Sequence, residues 1–507
     1  MNKKPAWLSF VGLLVIVSLL FSACSPGQKP PASSSPTEAP AEIHFAFLSF
    51  NKIPETDALA SVEEAINAIT VPKINATVKL HPFSVTDYAQ QVTLLLQSGE
   101  GLDVYHTLGD LPQRVANNEF IDISTMIDQY APETKALVGD DFLKTATLHG
   151  KLYGIPAYKG MAMAPQLVYR ADIMEEIGVD PATIKSVYDL TEVFAKVKAK
   201  YPDMIPLVPV QTGNIGLITL LMSTQYKVDF LGDSYFTPVA VLIGDDMHVV
   251  NFYETQAFRD IVNLAREWYE KGYVLKDAAT TTSNVLEFMS AGKAFAYIAA
   301  YAGNQAYTQI SAQTGQPIRM VRLAQPYLSS TSVNALTWGV STISKHPEAA
   351  LKFINLLFTD KDVINLVIYG IEGRDYVKID EYHVKYPEGK DASTVPYTAQ
   401  LSCGIVGNQF IQYQMEGTDM DDLKLMEYEL KHSAMSPAMG FTFDGSSVVN
   451  EYSAVVNVIN EYVPGLTTGS MDPAEIPNFL EKLKSAGIEK IVAAKQQQLD
   501  EWLSTQK

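Results

Sequence analysis

The stretch Ile43–Tyr105, IHFAFLSFNKIPETDALASVEEAINAITVPKINATVKLHPFSVTDYAQQVTLLLQSGEGLDVY, decides the fold. Ile43 to Leu48 reads as a first strand. From Ala58 to Ile69, helical spacing puts Leu59, Val62, Ile66 and Ile69 on one face. Ile74, Ala76, Val78 and Leu80 then alternate with polar residues, the period of a half-buried strand. Asp87 can cap a helix running through Leu96, with Gly99 as its stop. Leu102 to Tyr105 is a third short strand. Strand, helix, strand, helix, strand at this spacing specifies a parallel α/β sheet, whose ligands sit at the carboxyl ends of the strands. Asp103, Tyr105, His106 and Thr107 fall at such an end, which makes Asp103 and Tyr105 candidate ligand contacts.

Outward from this unit the α/β alternation continues. Lys151 to Pro156 is an extended segment punctuated by Gly and Pro, and it continues through Gly160. Thr255 to Lys271 carries an apolar helical stripe of Ile261, Leu264, Ala265 and Trp268, which assigns Trp268 to a core. Ala294 to Ala300 reads as a buried strand opening into Tyr301-Ala-Gly-Asn304, and Leu336 to Ile343 is a further strand. Pro347 opens a helix to Phe358, and Asp360 opens another that stops at Gly370. From Asp472 onward two more helices follow, broken at Gly487. A chain of 507 residues with 47% hydrophobic content has room for two to four lobes at roughly 100–200 residues each.

Charge excludes one class of partner. Lys and Arg number 38 against 57 Asp and Glu, a net −19. Such a surface repels phosphate backbones, so no nucleic-acid partner is expected. No metal or cofactor is expected either: the eight histidines are scattered, and the two cysteines are far apart in the sequence. Walker, dinucleotide and Gly-x-Ser-x-Gly signatures are missing, so no catalytic residues are assigned. Asp419, Asp421 and Asp422 read as a solvated acidic turn, since the Gly and distal Glu of an EF-hand do not align with them.

The amino terminus is an export signal. Lys3 and Lys4 precede an apolar run from Trp7 to Leu20, too short to span a bilayer comfortably. The run ends in Phe21-Ser22-Ala23-Cys24, which resembles the bacterial lipobox, with Phe21 where the motif usually has Leu. That resemblance implies removal of residues 1–23 and acylation of Cys24. The acyl chains would hold the protein on the outer face of the membrane. Cys403 then has no intrachain partner, and no disulfide is expected. Residues 24–42, Pro- and Ser-rich without large apolar side chains, form a disordered tether.

Aromatic supply stands out, with 26 Tyr, 21 Phe and 4 Trp. Several sit beside small or amide residues at loop or strand ends: Tyr105, Tyr158, Tyr301 with Asn304, Trp338, and Phe443 with Asp444. Flat rings suit the C–H face of a sugar, and nearby amides and carboxylates suit its hydroxyls.

Taken together, the segments resemble a known family. KLYGIPAYKG is similar to the first hinge crossing of the extracellular solute-binding proteins of ABC importers. TWGVSTISKHPEAALKFINLLFTDKDVINLVIYGIEGRDYV, from Thr337 to Val377, is similar to the return strand and helix pair of family 1, whose members are mostly sugar binders. GFTFDGS (440–446), NEYVPGLTTGSMDP (460–473) and KLKSAGIEKIVAAKQQQLDEWL (482–503) resemble the carboxyl-terminal extension of the LplA-like group of Firmicute lipoproteins. The resemblance implies a two-lobed periplasmic-binding-protein-like fold of type II with the ligand cleft between the lobes. It places lobe one in 43–157 plus 326–370, and lobe two in 158–325 plus 371–507. It implies Tyr158, Tyr301 and Trp338 as stacking platforms, and Asp103, Asn304 and Asp444 as hydroxyl partners. The function it implies is that of a monomeric, lipid-anchored receptor delivering a carbohydrate to permease subunits. A same-fold receptor for a peptide or other polar solute is the alternative, and a surface-anchored glycan hydrolase a more distant one.

Overall fold

The structure is a computed structural model that describes residues 39–222, 226–234, 237–304 and 306–506. The expected signal peptide, Cys24 and the expected tether as far as residue 38 lie outside the described residues. Among the described residues, no helix is long and apolar enough to cross a membrane.

Strand Ala41–Ser49 organises the first sheet. It pairs in parallel with Ala76–Ser84, in the register Ile43↔Val78 and Phe45↔Leu80, and with Val104–His106 through Phe45↔Val104. Phe45, Ala46 and Phe47 are all fully buried, so both faces of the strand are covered, as a parallel sheet under helices requires. Helix Thr56–Ile74 covers one face with Ala58, Val62, Ile66 and Thr70 at i, i+4 spacing. It runs five residues beyond the expected Ile69, and Asn75 ends it in the left-handed region with φ 52°. Ile74 is therefore helical, and the second strand begins at Ala76.

Thr337–Val340 joins the sheet antiparallel to Val104–His106, with Trp338↔His106 and Gly339↔Tyr105. Its other edge takes Ile155–Pro156. The spatial order, Ala76–Ser84, Ala41–Ser49, Val104–His106, Thr337–Val340, Ile155–Pro156, leaves one late antiparallel strand in an otherwise parallel lobe. Gly339 is required here: a Cβ would lie 2.5 Å from Cδ1 of Phe120, whose ring stacks on Tyr105 at 4.3 Å.

A second sheet has the order Ile318–Arg322, Ala164–Arg170, Ala294–Tyr301, Ile205–Leu207. Its helices include Gln256–Glu270, whose Trp268 is buried as its stripe predicts, with the indole N–H donating to Thr191 Oγ1 at 2.8 Å. Each sheet has its own large apolar core, one around Phe45, Trp338 and Phe353, the other around Phe194, Trp268 and Phe258.

Three segments connect the two lobes. The first leaves Ile155–Pro156 through Tyr158 and enters Ala164–Arg170. The second returns from Arg322 to Thr337, and the third follows helix Met420–His432. The second and third pair in parallel, Tyr327↔Ala434 and Leu328↔Met435, which makes a short two-stranded hinge.

The lobe boundaries need one correction. Residues 371–432 do not join lobe two as a block: Tyr376, Val384, Tyr397, Leu401, Val406, Tyr413 and Leu430 all lie in the core of lobe one. Hydrogen bonds of Tyr369 Oη to Tyr413 O (2.6 Å) and of Tyr413 N–H to Asn365 Oδ1 (2.8 Å) tie this segment to the helix ending at Tyr369. From Ala438 onward the chain does pack on lobe two. Helices Val449–Thr468, Ile476–Ala486 and Ile488–Thr505 bury Val455, Ile459, Leu466, Phe479, Leu483, Ile491 and Leu499 in its core.

Candidate functional site

The loops that leave the carboxyl ends of the three parallel strands of lobe one share an unusual composition. Phe50 (49% exposed) and Ile53 (44%) follow Ala41–Ser49, Val85 (50%) follows Ala76–Ser84, and Leu108 (44%) follows Val104–His106. These large apolar side chains are left half in water along the edge at which α/β sheets generally take their ligands. The loop carrying Phe50 is held in place: Phe50 N–H donates to Ala399 O at 3.1 Å, and Asn51 Nδ2 donates to Ala392 O at 2.6 Å.

Lobe two contributes the loop after strand Ala294–Tyr301. Tyr301 is half-buried, and its hydroxyl lies 3.1 Å from that of Tyr297. Burial raises the Tyr301 hydroxyl above its ordinary pKa, so it is a neutral hydrogen-bonding group at physiological pH. Asn304 is exposed. Gln166 Nε2 donates to Gly303 O at 2.6 Å, and Asn304 N–H donates to both Asp422 oxygens, at 2.6 and 2.8 Å. Asp422 belongs to helix Met420–His432, which also reaches the first crossing: Met426 packs on Gly160, and Lys431 lies near the Tyr158 hydroxyl.

Of the residues singled out in the sequence, Tyr158, Tyr301 and Asn304 thus come together around one helix at the first crossing. Tyr158 is buried, edge-on to Phe410 at 5.5 Å. The others lie elsewhere. Trp338 is 0% exposed, its indole N–H donating to Ile405 O at 2.9 Å and its ring tilted against Phe45 and His106, so neither face is free for a solute. Tyr105 is also fully buried, stacked on Phe120. Asp103 precedes its strand, at the amino rather than the carboxyl end, and it accepts from His44 N–H (2.8 Å) and from Ser344 Oγ. Phe443 is half-buried at the foot of the carboxyl-terminal helices, with Lys495 over its ring, and Asp444 caps a short turn by accepting from Ser446 N–H at 2.9 Å.

The acidic turn resolves into separate jobs. Asp419 caps its helix, Asp421 pairs with Lys424 at 2.9 Å, and Asp422 holds the Asn304 amide. Among the described residues, no three His, Cys, Asp or Glu side chains are grouped to hold a metal. Two partly open hollows lie away from the strand-end loops. One, lined by Leu217, Leu264 and Leu323, has about 30 Å³, room for a water but not a solute. Another, of about 160 Å³, lies by His44 and Asp103 at the amino end of the first sheet.

Comparison with known proteins agrees with this architecture. Residues 64–369 match the family of bacterial extracellular solute-binding proteins, and residues 437–504 match a domain of unknown function, DUF3502. A carbohydrate ABC transporter substrate-binding protein of Streptococcus pneumoniae serotype 4 is 25% identical over 454 residues, which is 87% of each chain. Among solved structures, the N-glycan transport solute-binding protein NgtS of Streptococcus pneumoniae superposes with a TM-score of 0.76 at 23% identity, over 92% of this chain and 100% of that one. An extracellular solute-binding protein of Bifidobacterium longum subsp. infantis superposes with a TM-score of 0.65 at 16% identity, over 91% of this chain and 98% of that one. With more than half its length matched by the family and the two-lobed fold shared with these structures, the chain belongs to the bacterial extracellular solute-binding proteins.

Proposed function

We propose that this protein is the substrate-binding component of an ABC importer, anchored outside the membrane through Cys24, and that it binds an oligosaccharide between its lobes. The observation that carries this reading is the exposed apolar row Val85, Phe50 with Ile53, and Leu108. These side chains follow three neighbouring strands, which lie about 4.8 Å apart, so the row extends for about 10 Å. That is long enough for two linked sugar rings to lay their C–H faces on it. From lobe two, Tyr301 offers a ring and a neutral hydroxyl, and Asn304 offers an amide. Support also comes from the Streptococcus pneumoniae relative, which is named as a carbohydrate transporter component.

The binding step follows from the hinge. A solute that touches both edges stabilises the arrangement in which both are within reach, by its differential affinity for that arrangement. The three connecting segments take up the rotation, and the permease receives the loaded form. The receptor acts as a monomer and needs no catalytic group for this cycle.

Calorimetric titration with a panel of Man5GlcNAc, milk oligosaccharides, kestose and a mixed peptide set tests the reading. Saturable heat with at least one oligosaccharide is expected. Tyr301→Ala should weaken that binding by about 1–2 kcal/mol, roughly 5- to 30-fold. Saturation by peptides alone would replace carbohydrate with the other solute class.

A further inference from the structure

Helix Met420–His432 is placed to set the shape of the solute site without lining it. One face of the helix is buried, through Asp422, Leu423, Met426, Glu429 and Leu430. Leu430 is in the core of lobe one, while Glu429 accepts from Nη1 and Nη2 of Arg322 at the end of a lobe-two strand. Between these anchors, Asp422 and Met426 meet the loop that follows Tyr301 and carries Asn304.

The fit there excludes side chains. A Cβ on Gly303, at φ +61°, would lie 2.6 Å from Asp422 Oδ2 and 2.7 Å from Met426 Cγ. A Cβ on Gly160 would run into Met426 Cε and lie 3.0 Å from Ala302 Cβ. Both glycines therefore let helix, loop and first crossing close on one another. Asp422 adds the directional element by taking the Asn304 amide on both of its oxygens, at 2.6 and 2.8 Å. Gln166 holds the opposite side by donating to Gly303 O, at 2.6 Å, and more distantly to Tyr301 O.

We infer that Asp422 is a positioning residue for the solute site: it fixes the loop between Tyr301 and Asn304 against the first crossing, so that the Asn304 amide is preorganised beside the Tyr301 ring before a solute arrives. The inference rests on the proposal that this loop contacts the solute. Preorganisation raises affinity by lowering the ordering cost at binding.

The test uses the full-length protein with Asp422→Ala, Asp422→Asn and Tyr301→Ala. Amide hydrogen exchange at Asn304 should accelerate by about tenfold or more in D422A. Affinity for Man5GlcNAc, or for whichever oligosaccharide in the panel binds the wild type, should fall by about tenfold. D422N keeps a carbonyl acceptor and should stay within about threefold of wild type, a rescue that loss of packing alone would not give. If D422A does not fold, Gly303→Ala supplies the same displacement from the loop side. Unchanged exchange at Asn304, or wild-type affinity in D422A while Y301A binds weakly, overturns the inference about Asp422. Wild-type affinity in Y301A overturns instead the contact between this loop and the solute, and the inference falls with it.

Discussion

Lys495→Met is expected to destabilise the folded protein by about 3–5 kcal/mol, the cost of stranding a buried charge. Lys495 is 0% exposed, and its three N–H donors are all used: Asp233 Oδ1 at 2.5 Å, Ala240 O at 3.0 Å and Phe230 O at 3.3 Å. Asp233 is just as dry, and its other oxygen accepts from Val239 and Ala240 N–H at 2.7 and 3.1 Å. Burial pushes the Asp233 carboxyl up and the Lys495 ammonium down, each resisted by the charge of the other. With Lys495 gone, the buried carboxylate keeps its two backbone donors but loses its counter-charge. Lys495 lies in the carboxyl-terminal region and Asp233 in the solute-binding region, so this pair fastens one to the other. Urea unfolding checks the prediction. The double replacement Lys495→Met with Asp233→Asn should cost less than the sum of the singles. A loss below about 1 kcal/mol in K495M would show that the pair is not a fastener.

Acid should weaken lobe one through His106. This ring is fully buried between Tyr88, stacked at 4.4 Å, and Trp338 at 4.7 Å. Nδ1–H donates to Thr107 O at 3.0 Å, which leaves Nε2 as an acceptor facing Leu48 N–H at 3.5 Å. Burial lowers its pKa from 6.5 to about 4, so the fold holds it neutral. The unfolded chain takes up the proton first as pH falls. The contribution is therefore complete above about pH 6.5, declines below it, and is lost by about pH 4. The loss between pH 7 and 4.5 is about 2.5 kcal/mol. His106→Gln should be less stable than wild type at pH 7 and should lack this part of the acid slope. Parallel slopes for the two proteins in urea titrations at pH 7 and 4.5 would contradict it.

The sheet of lobe one was legible because buried parallel strands are written as apolar runs, and helix Thr56–Ile74 because Val62 and Ile66 repeat at its period. Gly154 and Pro156 marked an extended segment before Tyr158, and only the resemblance of KLYGIPAYKG to a hinge made it a crossing. The strand-end rule named residues that the structure does not expose at that edge: Tyr105 and His106 are still inside the strand, Asp103 precedes it, and the exposed side chain is Leu108. Phe50 and Val85 each sit between polar neighbours and Ile53 between Lys52 and Pro54, and only the order of the strands aligns them into a row. Trp338 beside Gly339 looks like an exposed platform, yet the glycine is there to admit Phe120. Helix Val449–Thr468 is hidden by Pro464 and Gly465, ordinarily a stop. Here Pro464 instead packs on Gly213 of lobe two, where any Cβ would come within 2.6 Å of it. The return of residues 371–432 to lobe one rests on long-range contacts such as Tyr369 with Tyr413, which no local period encodes.

Closure of two hinged lobes on an oligosaccharide is most directly read by small-angle scattering of the protein alone and at saturating sugar. The radius of gyration should fall as sugar is added and level off with the calorimetric stoichiometry. A radius unmoved by a sugar that demonstrably binds would contradict a site shared between the lobes.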